Sequence, residues 1–135
     1  MKKDEFIRKM YRFFRHFTIS DEVALFIACQ FSLESSFGSS NRSVTQHNLC
    51  GMKTPVKRLS AVSQSYHGDF MIYHNDLLCA IDYLLWLSYN HFNQTELQDL
   101  SLFKDKLIKC GYCPENDYVF KIETLFKQYA YVIET

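Results

Sequence analysis

An apolar helix that carries a carboxylate near its end constrains this chain most. Val23, Ile27, Gln30, Phe31 and Glu34 recur at steps of three and four, so Glu34 shares a face with core-type residues. Gly38 then stops the pattern, within Leu33-Glu34-Ser35-Ser36-Phe37-Gly38-Ser39-Ser40. An acid so placed is partly desolvated and close to the negative end of the helix dipole, and both effects favour its protonated form. A carboxyl held neutral near neutrality is what a general acid needs to protonate a leaving group. The plainer reading is a helix-end glutamate that points into water.

Around that helix the pattern predicts a mainly α domain. Asp4 to Phe17 reads as an amphipathic helix with Phe6, Ile7, Met10, Phe13, Phe14 and Phe17 on one side. Ser20 suits the N-cap of the second helix, with Asp21 and Glu22 in its first turn, and that helix runs to about Ser36. Residues 39–58 are polar and irregular, with Asn41, Asn48, Gly51 and Pro55 as breakers. Phe70 and Ile72 then alternate with Met71 and Tyr73 after a His67-Gly68-Asp69 turn, which predicts a β-hairpin between Leu59 and Tyr73. Asn75 or Asp76 caps a strong helix from Leu77 to about His91, with Trp86 on or beside its apolar face. Ser101 to Lys109 forms a short helix ended by Gly111, and Asn116 to about Ile133 forms the last. No repeat or linker interrupts the sequence, and 135 residues suit a single domain.

Zero formal net charge and nearly half apolar residues argue for an ordinary globular fold. Twelve Phe and nine Tyr exceed the needs of a core this size, and surplus Tyr often lines grooves where ring faces meet sugars or bases. Lys2, Lys3, Arg8, Lys9, Arg12 and Arg15 load the first helix with positive charge, which reads as the solvated side of an amphipathic helix. No basic stripe continues beyond it, so nucleic acid is not expected as a partner. The Val23–Cys29 apolar run is too short to span a bilayer, and charges break any export signal after Met1-Lys2-Lys3. The expectation is a soluble monomer without integral membrane association, made in the cytoplasm. Five cysteines, an odd number, do not suggest a disulfide framework, and Cys29 and Cys79 read as small core residues.

Cys110-Gly111-Tyr112-Cys113 has the spacing of a redox or metal-binding pair. A helix precedes it rather than follows it and no second pair completes a zinc site, so it reads as a helix-ending turn. The five histidines are scattered, and neither a phosphate-binding nor a dinucleotide-binding glycine loop exists.

The order of features resembles one family. Ile27-Ala28-Cys29-Gln30-Phe31-Ser32-Leu33-Glu34-Ser35-Ser36-Phe37-Gly38-Ser39-Ser40 is similar to the QAxLESGWGTS signature of bacterial peptidoglycan N-acetylglucosaminidases, glycoside hydrolase family 73. Asn48-Leu49-Cys50-Gly51-Met52-Lys53 follows that family's NLFG-I/M-K segment, with Cys50 where Phe is usual. Phe70 to Tyr73 and Leu77 to Tyr83 resemble FxxYxSxxESxxDY, and Gly111 to Tyr118 resembles AGYATDPNY. The four segments are collinear over roughly residues 20–128. The resemblance implies a lysozyme-like helical body, a small β-hairpin lobe and a substrate groove between them. It also implies hydrolysis of peptidoglycan between N-acetylglucosamine and N-acetylmuramic acid, without metal or organic cofactor. Lacking a visible leader, such an enzyme would reach the wall by a non-classical, phage-lysis or effector route. A lytic transglycosylase or muramidase on the same fold, or a catalytically weak glycan-binding module, are the rival readings.

By this resemblance Glu34 is the catalytic general acid and Tyr118 supports catalysis or positioning. Asn48, Gly51 and Lys53 shape the cleft floor, with Asn48 and Lys53 as substrate-binding candidates. Glycoside hydrolysis normally needs a second carboxylate, about 5–5.5 Å away for retention and about 6.5–9.5 Å for inversion. Asp69 is the one acid between Leu59 and Tyr73, so it is the candidate; its plainer reading is a turn residue. Asp76 and Asp82 read as a helix cap and a helix residue. Alternatively the substrate's 2-acetamido group attacks the anomeric carbon itself. Phe37, Tyr66 and Tyr73 are candidate stacking faces for the sugar.

Overall fold

A computed structural model describes residues 1–53, 65–67, 70–110 and 117–134, with the side chains of 65–67 and 134 excepted. The elements in order are α1 (Lys3–Arg15), α2 (Asp21–Ser35), α3 (Asn41–Gln46), β1 (Ser65–His67), β2 (Phe70–Ile72), α4 (Asp76–Tyr89), α5 (Gln94–Leu97), α6 (Leu100–Lys109) and α7 (Tyr118–Tyr129). A 3-10 segment, Ala130–Glu134, ends the chain's described part. The fold is mainly α with one two-stranded antiparallel sheet, the helical body and small hairpin that the family resemblance implies.

Helix α2 is the axis of the molecule. Every residue from Val23 to Ser32 is buried, because a helix apolar all round must be covered all round. Helices α1, α6 and α7 supply that cover. Ser20 starts α2 as expected, its Oγ accepting the Val23 N–H at 3.2 Å. Helix α1 contributes Phe6, Ile7, Met10 and Phe14 to the core. Phe17 departs from the expected apolar side: it lies beyond the end of α1 and is 43% exposed, its ring tilted against Phe13. The basic side of α1 is partly neutralised rather than simply solvated. Lys9 pairs with Asp76 at 3.3 Å and Arg15 Nε with Asp21 at 2.6 Å, tying α1 to the first turns of α4 and α2.

Tyr83 on α4 fills the centre. Its ring lies within 5.9 Å, centroid to centroid, of Phe14 and Trp86 and 5.1 Å from Phe31, and edge-to-face geometry prevails with the two phenylalanines. Asn75 is the N-cap of α4, accepting from Leu78 N–H at 2.9 Å, and Asp76 is its first helical residue.

Two short helices lie outside the sequence expectation. Helix α3 interrupts the segment read as irregular and is started by Ser40, whose Oγ accepts from Ser43 N–H. Helix α5 is a single turn held by a reciprocal cap between Asn93 and Glu96, both bonds 2.9 Å. It staples the start of α2, since Leu97 carbonyl accepts from Ser20 N–H and Gln98 Nε2 donates to Thr18 carbonyl. The last helix spans Tyr118–Tyr129 and tightens into 3-10 geometry after it; Asn116, where it was expected to start, lies outside the described residues.

The hairpin pairs Ser65 with Ile72, Tyr66 with Met71 and His67 with Phe70. Of the expected His67-Gly68-Asp69 turn, His67 belongs to β1 and residues 68 and 69 lie outside the described residues. Among the described residues no helix is long and apolar enough to cross a membrane.

Candidate active site

Glu34 sits one residue before the end of α2, half-buried, with Gln30, Phe31, Ser32 and Ser35 buried around it on the same helix. The expected placement on the core side therefore holds. Helix termination is sharper than a glycine stop. Ser36 takes the left-handed conformation first (φ 49°), Phe37 follows (φ 58°), and Gly38 completes the turn (φ 80°). Left-handed backbone at two non-glycine residues costs about 1–2 kcal/mol each. Local bonds hold it: Ser35 Oγ donates to Phe31 carbonyl at 2.6 Å and accepts from Gly38 N–H at 2.9 Å, while Phe37 N–H and Ser40 N–H return to Ser32 and Ser35 carbonyls. Glycine is needed at 38 for a second reason, since a Cβ there would meet the Phe6 ring at 2.8 Å.

The opposing wall is the segment from Asn48 to Lys53. Asn48 is buried and its amide is fully engaged. Nδ2 donates to the carbonyls of Met52 and Met71, Oδ1 accepts from Met52 N–H, and all three bonds are 2.9 Å. Met71 N–H donates to Met52 carbonyl at 3.0 Å and Lys53 forms an isolated antiparallel bridge to Phe70, so the segment is tied to the edge of the hairpin. The resulting turn carries Gly51 at φ 69° against the acid: a Cβ on Gly51 would stand 3.1 Å from Glu34 Oε2. Backbone thus packs directly over the carboxylate, an approach that only glycine permits.

Tyr118, the first residue of α7, closes the third side. It is 5% exposed, and its hydroxyl lies near the Glu34 carboxylate and the Gln30 side chain. Burial first, and then the negative charge of Glu34, pushes this hydroxyl well above its ordinary pKa. It therefore remains a protonated donor under any ordinary condition. Gln30 Oε1 is occupied by the Tyr83 hydroxyl at 2.7 Å. Tyr83 and Gln30 thus form a buried polar pair behind Tyr118 and the acid.

The remaining sequence candidates separate. Tyr73 is 2% exposed, and its hydroxyl donates to Asp82 Oδ2 at 2.5 Å, so no face of its ring is offered for stacking. Asp82, read as an ordinary helix residue, is a fully buried acid that holds Tyr73 in place. Asn48 ties the wall together from inside rather than facing outward. Asp76 is more than a cap position, accepting from His47 Nδ1 at 2.9 Å as well as pairing with Lys9. Lys53 is exposed beside the hairpin. Phe37 is half-buried, its ring 6.1 Å from that of Tyr129 and beneath Lys3 Nζ. Asp69, the Tyr66 side chain and Cys113 lie outside the described residues. Sequence reasoning missed Gln30 as a polar link and Asp82 as a buried anchor; a polar residue on an otherwise apolar helical stripe was the signal for both.

The family model for mannosyl-glycoprotein endo-beta-N-acetylglucosaminidase matches residues 19–131. The chain belongs to this glucosaminidase family. No curated protein and no solved structure matches it. The match starts at the α1–α2 junction and takes in Glu34, the Asn48–Lys53 wall, the hairpin and Tyr118. As a glucosaminidase the chain is a glycoside hydrolase with a glycan substrate, which is chemistry that a carboxyl, a neutral tyrosine donor and an enclosing backbone wall can serve.

Proposed function

We propose that this glucosaminidase cleaves the β-1,4 bond between N-acetylglucosamine and N-acetylmuramic acid in peptidoglycan, with Glu34 as general acid. One observation carries the reading: Glu34 is a half-buried carboxyl at the end of a rigid, buried helix, covered by the Gly51 backbone and flanked by Tyr118. Glu34 donates its proton to the glycosidic oxygen as the bond to the anomeric carbon breaks, and the muramic acid leaves as an alcohol. The anomeric carbon is captured either by water that Asp69 activates or by the substrate's own 2-acetamido oxygen, with water entering afterwards. Tyr118 donates a hydrogen bond that orients the acetamido group or that water. The groove for the glycan runs between the helical body and the hairpin, with Lys53 and Phe37 at its borders.

Digestion of purified peptidoglycan, followed by borohydride reduction and mass analysis, tests the reading. Wild type is expected to yield reduced N-acetylglucosamine ends, and Glu34→Gln to lower their rate by about 10²–10⁴-fold. Anhydro-muramic ends would identify a lytic transglycosylase instead, and reduced muramic acid a muramidase. Binding to the wall without any release would identify a glycan-binding module. Asp69→Asn separates the two capture routes: activity survives if the acetamido group attacks and collapses if Asp69 activates water.

A further inference from the structure

Two cysteines with no role in the proposed hydrolysis meet behind the Gly51 wall. Cys50 belongs to the wall itself and Cys79 to α4, yet their sulfurs are 3.6 Å apart. Both residues are buried, at 1% and 0% exposure. Leu49 N–H donates to Cys79 Sγ at 3.3 Å, which holds that sulfur against the segment carrying Cys50. We propose that Cys50 and Cys79 form a disulfide that locks the Asn48–Lys53 wall onto α4 when the protein matures in an oxidising compartment.

The geometry asks for little. A disulfide brings sulfurs to about 2.05 Å, so the pair must close by about 1.5 Å. The electrons go to a low-molecular-weight disulfide such as oxidised glutathione. One cysteine thiolate attacks it and expels one glutathione thiol. The second cysteine then attacks the mixed disulfide and expels the other. Two protein thiols and one small disulfide thereby give one protein disulfide and two small thiols. Burial and the neighbouring Cys79 push the Cys50 thiol well above its ordinary value. Thiolate is consequently scarce in the closed structure, and the exchange proceeds while the wall is transiently open. Once formed, the bond is shielded from reductants by the same burial. It closes a loop that spans both hairpin strands and fixes the residue next to Gly51.

The full chain, incubated with oxidised glutathione in sub-denaturing urea and then returned to buffer, provides the test. The expected product is lighter by two hydrogens, with a Cys50–Cys79 linked peptide in a non-reducing digest. Its melting temperature should rise on the order of 10 °C and fall back on reduction. In Cys79→Ser, melting should become indifferent to reductant. Alkylation of all five cysteines after the incubation, separate glutathione adducts on Cys50 and Cys79, or pairing of either with Cys29, Cys110 or Cys113 would overturn the proposal. Peptide mapping reads the bond directly and needs no assumption about the glycan.

Discussion

The two walls around Glu34 are made by opposite means. The helical wall, α2 with Tyr118 of α7, is rigid because it is buried: Gln30, Phe31 and Ser35 are sealed in the core, and the acid extends from their edge. The Asn48–Lys53 wall has little regular structure and is instead tied by one amide that makes three bonds to backbone. Helix packing fixes where the acid stands, and side-chain-to-backbone bonding fixes how closely the chain can cover it. Changes that press on the acid should therefore appear in chemistry, and changes that only loosen the bonds or packing behind either wall mainly in stability.

Asn48→Ala tests that division most severely. It strands the Met52 N–H and the Met71 carbonyl in a buried place, at a cost of about 3 kcal/mol by urea unfolding. Gly51→Ala comes next and strikes both properties. Its φ of 69° penalises alanine by about 1–2 kcal/mol, and the added methyl presses on Glu34, so activity per folded molecule should fall by about 10-fold. Gly38→Ala is its control, because there the methyl meets Phe6 rather than the acid. Stability should drop while activity per folded molecule stays near that of wild type. A loss of activity equal to that of Gly51→Ala would show that contact with the acid is not what sets the Gly51 effect.

Tyr118→Phe is expected to change stability by less than about 1 kcal/mol, since the ring stays and only one hydroxyl goes. Turnover should fall about 10-fold if that hydroxyl positions the reacting groups. Alkali tests the buried thiol and hydroxyls rather than the walls. Burial raises the Cys29 thiol to about 12, and burial also raises Tyr83 and Tyr118. Groups raised in the folded state lose protons first in the unfolded chain, so their stabilisation is complete below the ordinary thiol value of 9.0 and is lost as pH rises towards 12. Urea midpoints at rising pH should decline only above about pH 9; a decline that begins near neutrality would point to other groups.

Periodicity made the long helices legible, since α1, α2 and α4 bury enough apolar surface to write a repeating pattern. It could not reveal α3 or α5, whose six and four residues are too few to show a period. Their start signals, Ser40 and Asn93, were present but looked like ordinary loop residues. How α2 ends was hidden for a related reason: Ser36 adopts a glycine-like conformation because bonds from Ser35 and Phe37 enforce it, which composition does not announce. Within the site, Glu34 was readable from its spacing. Tyr73 was not, because its hydrogen bond to Asp82 depends on how β2 lies across α4. The Cys50–Cys79 contact was equally invisible, joining residues that sequence separates by a hairpin.

Helix α1 lies before the matched family region, which begins at residue 19. Yet Phe6 touches the turn after the acid, and Phe14 packs on both Phe31 and Tyr83. Anyone excising the catalytic unit at the family boundary, or grafting it behind another domain, would cut through its interior. The exposed flank of α2 would then be sticky, and insolubility would be mistaken for a poor enzyme.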